Sequence, residues 1–543
     1  MGDLRGSRLK TVKLSTISAL AVAGGVHALT FAPDPLPPWS LAIVQILAMT
    51  VLARSIRGLS EGWQAFARGW WFGFLSFCVG LYWLYISMHH YGGLGMSMAV
   101  AGVALLSAFL ALFSGLACGL AVWLGKTVTP KAFFSQALTW AVLWAGMEWL
   151  RSVLFSGFPW LNVGYAHIDG PLAGWAPLIG VHGIALLAAF IAAGLAALPR
   201  PTKCLFRPFF PMIALAAPML GGWALTKFEW STADGEPLHV HLIQGNIEQS
   251  QKFDPDLIEL SILQHLELAR QPPVPGEPDL DLIVLPETVL PQFQSELDPR
   301  IWEAWRGVAE QQRSTIVMGV PLDTVDLDGG QRLTNSAIGF DATTPVSQLV
   351  AGTMPQRYDK RHLVPWGEYV PPGFGWFVQL LNMPLGEFDR GPPRQTPFVV
   401  DEQHLALNIC YENVFAPELL PALLPMIGSD PGASILVNLS NLAWFGDTWA
   451  LRQHLQIGRL RSMETARPML TSTNTGITAM IDHHGRVVAM LPPHQKGVLA
   501  VSVQGMVGLT PYARYGDTLV ILLSGGLLIA LAWRRLKYRH RPI

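Results

Sequence analysis

The feature that most constrains this chain is a dense series of apolar stretches before residue 228, each long enough to approach the thickness of a bilayer core. Of 543 residues, 51% are hydrophobic and only 14% are charged, whereas a typical soluble domain has about 25% charged residues. This composition excludes a disordered chain and argues against a purely soluble enzyme. The stretches predict a polytopic α-helical membrane protein with about eight spans, at 14–29, 39–53, 70–88, 96–124, 133–154, 180–198, 209–225 and 519–533.

Basic residues predict the orientation of these spans. Lys and Arg precede the first span, occupy alternate connections and follow the last span, whereas the connections at 89–94 and 156–177 contain none. Because basic loops stay in the cytoplasm, both termini are expected there, with the first span an uncleaved anchor. The acidic segment between the seventh and eighth spans then faces outward. The predicted domains are a membrane domain at 1–228, an outer domain at 229–516 and a final span with a basic tail at 517–543.

The outer segment has the pattern of an α/β domain. Short apolar runs at 239–243, 282–285, 316–320, 405–409 and 435–437 alternate with helix-like stretches such as 256–270 and 452–466, and two later runs resemble a hairpin. Four cysteines are too few for a disulfide framework, and no Cys pair suggests a zinc site.

Three polar residues stand where apolar runs end or where charges and aromatics mix: Glu287, Lys360 and Cys410. Desolvation at a strand end would raise the pKa of Glu287 towards that of a general base, and a lysine ammonium can stabilise an oxyanion. Cys410 is the one cysteine of the outer segment, and a following helix N-terminus would favour its thiolate. Taken singly, each has an ordinary reading: a solvated Glu, a solvated Lys, or a small core residue.

In this order, the three residues resemble the Glu-Lys-Cys triad of the nitrilase, or carbon–nitrogen hydrolase, superfamily. Further matches lie at 244–247, 437–441, 443–446 and 459–478. The resemblance implies an αββα sandwich, with Glu287 as general base, Lys360 as oxyanion stabiliser and Cys410 as nucleophile.

The fusion to membrane spans resembles the apolipoprotein N-acyltransferase family, with motifs at 156–160, 360–371 and 508–514. That resemblance adds Glu368 and Glu412 as further acidic residues of the active site, Tyr411 beside the nucleophile, and Asn335 as a pocket-side amide. Glu368 could instead serve only to hold Lys360. The chain departs from the family pattern at Leu442, where Asp is usual, and at Phe253, where Trp is usual.

The family resemblance implies acyl transfer in two steps. A membrane phospholipid donates an acyl chain to Cys410 as a thioester, and the α-amine of the diacylglyceryl-cysteine of an apolipoprotein accepts it. The reaction requires no metal or nucleotide cofactor and no nucleic acid. The expected location is the bacterial inner membrane, in contact with the lipid bilayer and with the catalytic domain in the periplasm.

Two other readings remain open from the residues. One is a membrane-anchored amidase or nitrilase that hydrolyses a small amide, and the other is a transporter or sensor with a ligand-binding outer domain. Intramembrane ionisable residues would mark a transporter, and only Glu148 and Arg151 qualify.

The segment 371–377 follows no regular core period. Its aromatics, Phe374 and Trp376 among them, are expected to form either a loop against the domain or a mobile arm at the bilayer interface.

Overall fold

The computed structural model describes residues 14–32, 35–125, 133–198, 209–273, 276, 278–326, 329–373, 375, 387–425 and 431–539. Apolar helices form the first part and a mixed α/β unit forms the second. The helices of the first part are α1 Leu14–Ala28, α2 Pro38–Ile56, α3 Gly62–Gly80, α4 Leu84–Ile86, α5 Met96–Gly125, α6 Phe133–Val153, α7 Ala176–Ala197 and α8 Phe209–Leu225.

Helix length and apolar composition give a smaller number of spans than the sequence predicts. In the described part of the chain, four helical segments are long and apolar enough to cross a membrane: Leu14–Phe31, Pro38–Ile56, Met96–Gly125 and Ala173–Ala197. A fifth is added if the bent pair Gly62–Gly80 and Leu84–Tyr91 counts as one span. Two further apolar segments, Pro211–Leu225 and Thr518–Trp533, are shorter, so the count of eight spans stays a prediction.

The stretch predicted as one span at 70–88 is broken in the structure. Helix α3 begins eight residues earlier and ends at Gly80, and the chain then bends by 62° into the next helix. Leu81 leaves the helical conformation, and the buried Trp83 donates its indole N–H to Gln453 of the second part. Trp83 thus contacts the α/β unit just after the break, and periodicity along the chain does not reveal such a contact.

The α/β unit contains two six-stranded sheets, and its main strands coincide with the apolar runs of the sequence. Its helices are α9 Gln249–Lys252, α10 Ile258–Ala269, α11 Pro299–Gln312, α12 Val346–Ala351, α13 Ala416–Leu419, α14 Trp449–Thr465 and α15 Pro511–Tyr515, followed by the C-terminal α16 Thr518–Arg539. Its strands are β1 Thr232–Ala233, β2 Leu238–Gln244, β3 Leu282–Val284, β4 Thr315–Val325, β5 Gln331–Phe340, β6 Gln356–Asp359, β7 Phe398–Val400, β8 Gln403–Ile409, β9 Ile435–Ser440, β10 Met469–Thr473, β11 Ala479–Ile481, β12 Val487–Met490, β13 Gly497–Val503 and β14 Met506–Val507.

The two sheets form the middle layers of an αββα sandwich. One sheet has the order β13-β2-β3-β4-β5-β6 and the other β12-β11-β10-β9-β8-β7, with parallel strands at the centre of each. Between the sheets lies a core that includes Leu242, Val284, Leu407 and Val437. Helices α10 and α11 cover the first sheet, and α13 and α15 contribute to the cover of the second. The expected sandwich is thus present.

Helices α3 and α5 pack at short distance in the first part because their contact surface contains glycine. A Cβ atom at Gly69 would lie 2.6 Å from the main-chain oxygen of Ser114 and 2.8 Å from Cys118 Sγ. The hydroxyl of Ser114 also donates to the Gly69 carbonyl at 3.1 Å. Small residues that let helix backbones approach are typical of helix pairs in membranes.

We expect Gly69→Ala to destabilise the helical part by about 1–3 kcal/mol, because the added methyl group overpacks a contact made partly by backbone. The measurement is thermal unfolding of the full chain in detergent. Gly25→Ala in α1 is the matched control, since no atom lies within 4 Å of a Cβ built there. Equal unfolding temperatures for the two variants would contradict this account of the α3–α5 contact.

Candidate active site

The carboxyl ends of several strands meet at one edge of the sandwich, where the backbone is unusual. Asn246 follows β2, Thr288 follows Glu287 beyond β3, and Cys410 follows β8, and all three have positive φ angles of 53–55°. Left-handed backbone is uncommon for residues other than glycine and is often found at functional sites. Asn474, after β10, ties this edge together: its side chain accepts from Ile247 N and donates to Ile247 O.

At this edge the structure brings together Glu287, Lys360, Glu368 and Asn335. Lys360 Nζ lies 3.2 Å from Glu287 Oε1 and 2.8 Å from Glu368 Oε1. The Asn335 amide donates to the same two oxygens, at 2.9 and 2.7 Å. Lys360 is only 1% exposed. Both carboxylates are therefore held by the same two donors, and the ammonium is fixed between them.

Main-chain bonds position the lysine and its second carboxylate. Lys360 N donates to the Asn335 carbonyl at 2.8 Å, which continues the pairing of β5 with β6, and Glu368 Oε2 accepts from Val364 N at 2.8 Å. Because Glu368 is bonded to its own loop as well as to Lys360, its position supports the interpretation that it holds the ammonium in place.

The electrostatics of Glu287 differ from the expectation based on burial. Burial raises the pKa of the Glu287 carboxyl, but the adjacent Lys360 ammonium, the Asn335 amide and the nearby Lys252 outweigh it, so the pKa lies below its ordinary value. Burial lowers the pKa of Lys360, and the two carboxylates raise it to well above its ordinary value. The predicted rise for Glu287 is therefore wrong, because a partner from another strand dominates.

Cys410 begins a 3-10 turn, Cys410–Val414, rather than a long helix. Burial and the neighbouring Glu287 raise the pKa of its thiol well above the ordinary value, although Lys360 and a bond from Asn441 N–H act in the opposite direction. Cys410 is thus a thiol at rest, and the expected stabilisation of a thiolate by a helix N-terminus is not found. A base must remove the proton when the sulfur reacts.

Glu412 and Tyr411, which follow the cysteine, face different partners. Glu412 is 1% exposed and accepts bonds from Ile409 N, Arg361 N, His362 N and the Tyr358 hydroxyl. Burial raises the pKa of Glu412 to about 7, against these donors. The carboxyl group therefore holds the Cys410 turn against the residues directly after Lys360.

The side chain of Tyr411 packs on the helical part. Its ring is stacked near that of Trp160, with centroids 6.4 Å apart and an interplanar angle of 15°, and its hydroxyl donates to the Gly157 carbonyl. The Gln453 side-chain oxygen accepts the indole N–H groups of both Trp160 and Trp83, at 2.7 and 3.1 Å. The motif at 156–160 thus lies directly beside the residue that follows Cys410.

The two ionisable residues of the fifth predicted span are used to hold that motif. Arg151 donates to the carbonyls of Phe158 and Trp160, and Glu148 accepts from Val163 N. Both side chains are buried. They brace a loop, which weakens the case for a transport pathway through the helices.

Sequence reasoning missed Lys252 and the main-chain N–H of Asn441. Lys252 is 4% exposed and donates to the Glu287 carbonyl at 3.0 Å, while Asn441 N donates to Glu287 Oε2 at 2.9 Å. Lys252 lies next to Phe253, where the chain departs from the family pattern, and nothing in the local sequence indicates its contact with Glu287. Phe374 and Trp376 lie outside the residues that the structure describes.

None of the described residues around Lys360 forms a group of three metal ligands; the one such group found in the described parts of the chain is elsewhere, at Glu229, His483 and His484. Lysine and asparagine side chains dominate the polar contacts here, and these provide hydrogen-bond donors rather than a metal cage. The arrangement is suited to covalent chemistry at sulfur.

Comparison with known proteins identifies both parts of the chain. A model of the apolipoprotein N-acyltransferase N-terminal domain matches residues 23–194, and a carbon-nitrogen hydrolase model matches residues 240–512. The apolipoprotein N-acyltransferase of Bordetella bronchiseptica is 59% identical over 526 residues, covering 95% of this chain and 96% of that protein. The chain belongs to the apolipoprotein N-acyltransferase family. The Ralstonia nicotianae member is 40% identical, with 94% and 92% covered.

Solved structures resemble the α/β unit more distantly. A carbon–nitrogen hydrolase superfamily protein from Xanthomonas campestris covers 54% of this chain and 98% of its own, at 17% identity and a TM-score of 0.36.

At the two positions that depart from the family pattern, this chain has apolar side chains. Leu442 stands at the N-cap of the 3-10 turn Ala443–Phe445 without a side-chain cap bond. It is 1% exposed and packs with Leu451 and Ile477. The Asp that is usual in the family could cap the turn. Leu442 cannot do so, and its side chain is buried instead. Phe253 is partly buried and directly follows α9.

We expect Lys252→Met to raise the unfolding temperature at pH 7. Burial lowers the pKa of Lys252 from 10.5 to about 8, a penalty on the charged form of about 3 kcal/mol, from which the lost bond to Glu287 subtracts about 1–2 kcal/mol. The penalty is fully present below pH 8 and disappears as pH rises towards 10.5. The stabilisation should thus shrink when thermal unfolding is measured near pH 9.5.

Lys496→Met, at an exposed lysine of the same domain, is the control and should leave the unfolding temperature unchanged at both pH values. A lower unfolding temperature for Lys252→Met than for the wild type would mean that the Lys252 ammonium is net stabilising.

Proposed function

We propose that this chain transfers an acyl chain from a membrane phospholipid, through a thioester on Cys410, to the α-amine of the N-terminal diacylglyceryl-cysteine of an apolipoprotein. Membership of the acyltransferase family supports the reaction class. The single observation that carries the proposal is the buried Lys360 ammonium, bonded to Glu287 and Glu368, beside a cysteine whose turn packs on the helical part through Tyr411.

In the first step, Glu287 takes the proton of the Cys410 thiol while the sulfur attacks the ester carbonyl carbon of the phospholipid. Lys360 and nearby main-chain N–H groups stabilise the oxyanion that forms. The ester C–O bond then breaks, Glu287 returns the proton to the departing oxygen, and lysophospholipid leaves a thioester on Cys410. The depressed pKa of Glu287 keeps its carboxylate ionised at neutral pH, so it is free of a proton when the thiol reacts, although the same depression makes it a weaker base.

In the second step, the neutral α-amine of the acceptor attacks the thioester carbonyl and forms the amide. Glu287 accepts the proton that the nitrogen loses, the C–S bond breaks, and the proton moves on to sulfur to restore the thiol. Because the thiol pKa is raised by burial and by Glu287, the sulfur readily takes this proton back. Water has to be kept from the thioester, since otherwise the net reaction would be phospholipid hydrolysis.

Placement at the bacterial inner membrane fits both substrates. The predicted topology has eight spans with both termini in the cytoplasm and the catalytic domain in the periplasm. Extracting acyl chains into water costs about 0.8 kcal/mol for each exposed CH₂ group, so a site attached to the membrane on both sides of its sequence avoids that cost. In this proposal Phe374 and Trp376 belong to an arm that meets the bilayer interface.

A small-amide hydrolase is the weaker alternative. The first family model matches the apolar part at 23–194, which a hydrolase of soluble amides does not need. The contacts of Tyr411 with Trp160 and Gly157 also connect the cysteine turn to that part. These observations favour a lipid substrate.

We expect the full chain, incubated with radiolabelled phospholipid and no acceptor, to trap an acyl group that hydroxylamine releases. Cys410→Ser should fold but trap none and have no N-acyltransferase turnover, because Glu287 is too weak a base to generate an alkoxide. Cys78→Ser, in α3, is the matched control and should trap the label normally. Recovery of more than a few per cent of wild-type N-acylation by Cys410→Ser would contradict the thioester mechanism.

We expect Lys360→Arg to lower the acylation rate by about 100-fold, because a guanidinium spreads its charge over a planar fork and cannot replace a compact ammonium between two carboxylates. The measurement is the single-turnover rate of acyl-enzyme formation, with circular dichroism to check the fold. The exposed Lys496→Arg serves as control. Near wild-type rates in Lys360→Arg would show that Lys360 is only an ion-pair partner.

A further inference from the structure

Three side chains of types that can bind a metal ion come from two separate segments and converge on the side of the sandwich away from Cys410. They are Glu229, in the connection that follows α8, and His483 and His484, at the tip of the hairpin between β11 and β12. Their ligand atoms all lie within 4.8 Å of one another.

The hairpin tip is remote from the candidate active site because of the strand directions. Ile481, the last residue of β11, pairs with Met469, the first residue of β10, and β10 and β8 both run parallel to β9. The tip therefore lies near the amino ends of these strands, whereas Cys410 lies at the carboxyl end of β8. Nothing in the acyl-transfer mechanism uses these histidines.

The distances between these side chains are close to those between two ligands of one metal ion. Glu229 Oε2 lies 3.6 Å from His483 Nε2 and 3.5 Å from His484 Nε2, which is long for a charge-assisted hydrogen bond. Two ligand atoms that each bind Zn²⁺ at about 2.0–2.1 Å with tetrahedral geometry are separated by about 3.3 Å. The carboxylate oxygen and each imidazole are thus already near the spacing that a shared ion would impose.

The hairpin tip is held in this geometry by bonds that do not involve Glu229. Asp482 Oδ1 accepts from His484 N and Arg486 N, and Arg459 Nε donates to the Gly485 carbonyl at 2.7 Å. Gly485 has φ +77°, and a Cβ there would meet the Arg459 main-chain oxygen at 2.7 Å. The two imidazoles are therefore presented by a fixed turn, which reduces the ordering needed on metal binding.

We propose that Glu229, His483 and His484 form a zinc site that ties the hairpin of the catalytic domain to the connection leaving α8. Two imidazoles and one carboxylate are ligands that Zn²⁺ prefers, and a water molecule can complete the tetrahedron. Mg²⁺ and Ca²⁺ favour all-oxygen sites and should not bind. The tie would restrain the catalytic domain relative to the last helix before it.

The test uses the full chain in detergent, purified without a histidine tag and stripped with a chelator. Equilibrium dialysis against ZnCl₂ should give one bound Zn²⁺ per chain, and MgCl₂ should give none. Glu229→Gln should weaken zinc binding at least tenfold, and His483→Asn should do the same. His494→Asn, at an exposed histidine of the same domain, is the control and should bind like the wild type.

Hydrogen exchange gives a second readout. It compares the wild-type chain with and without ZnCl₂, so misfolding of a variant cannot affect the result. Amides of residues 226–231 and of the hairpin should exchange more slowly with zinc. Absence of saturable zinc binding, equal binding by Glu229→Gln and the wild type, or unchanged exchange in both segments would each overturn the proposed tie.

Discussion

The ammonium of Lys360 lies almost wholly inside the protein, and burying an unpaired charge of this kind is costly in free energy. The surrounding structure compensates for that burial through two carboxylates, one from beyond β3 and one from the loop after β6, with Asn335 donating to both. Removing one partner of such a buried pair typically destabilises the folded protein by about 3–5 kcal/mol. The positions of Glu287, Glu368 and Asn335 are therefore set by the need to compensate for the buried ammonium.

The same cluster sets the protonation states that the chemistry needs. The Lys360 ammonium holds the pKa of the Glu287 carboxyl below its ordinary value, whereas burial and then Glu287 raise the pKa of the Cys410 thiol. The raised pKa favours the protonated thiol, which is a weaker nucleophile than a thiolate. In the proposed mechanism the proton leaves as the sulfur attacks a bound carbonyl, so reactivity would depend on the presence of substrate.

Sequence reasoning predicted the parts of the fold that depend on local pattern. Apolar runs located the strands β2, β3, β8 and β9 because buried parallel strands need continuous apolar residues. Resemblance to a known triad singled out Glu287, Lys360 and Cys410, which the structure brings to one region. The direction of the Glu287 pKa shift, the role of Lys252 and the break after Gly80 were not predictable, because each depends on a partner distant in the chain.

One carbonyl oxygen of Gln453 accepts two indole N–H groups, one from the bend after α3 and one from the loop after α6. A buried indole N–H without an acceptor is unfavourable, so a change at Gln453 would remove an acceptor from both Trp160 and Trp83, although the Trp83 indole also donates to the Gly80 carbonyl. Chimeras that join the membrane half of one relative to the catalytic half of another would inherit a mismatch here whenever the parents differ at these three positions. The Gln453 amide is one of several contacts between the two halves, together with the Tyr411–Gly157 and Glu464–Val181 hydrogen bonds.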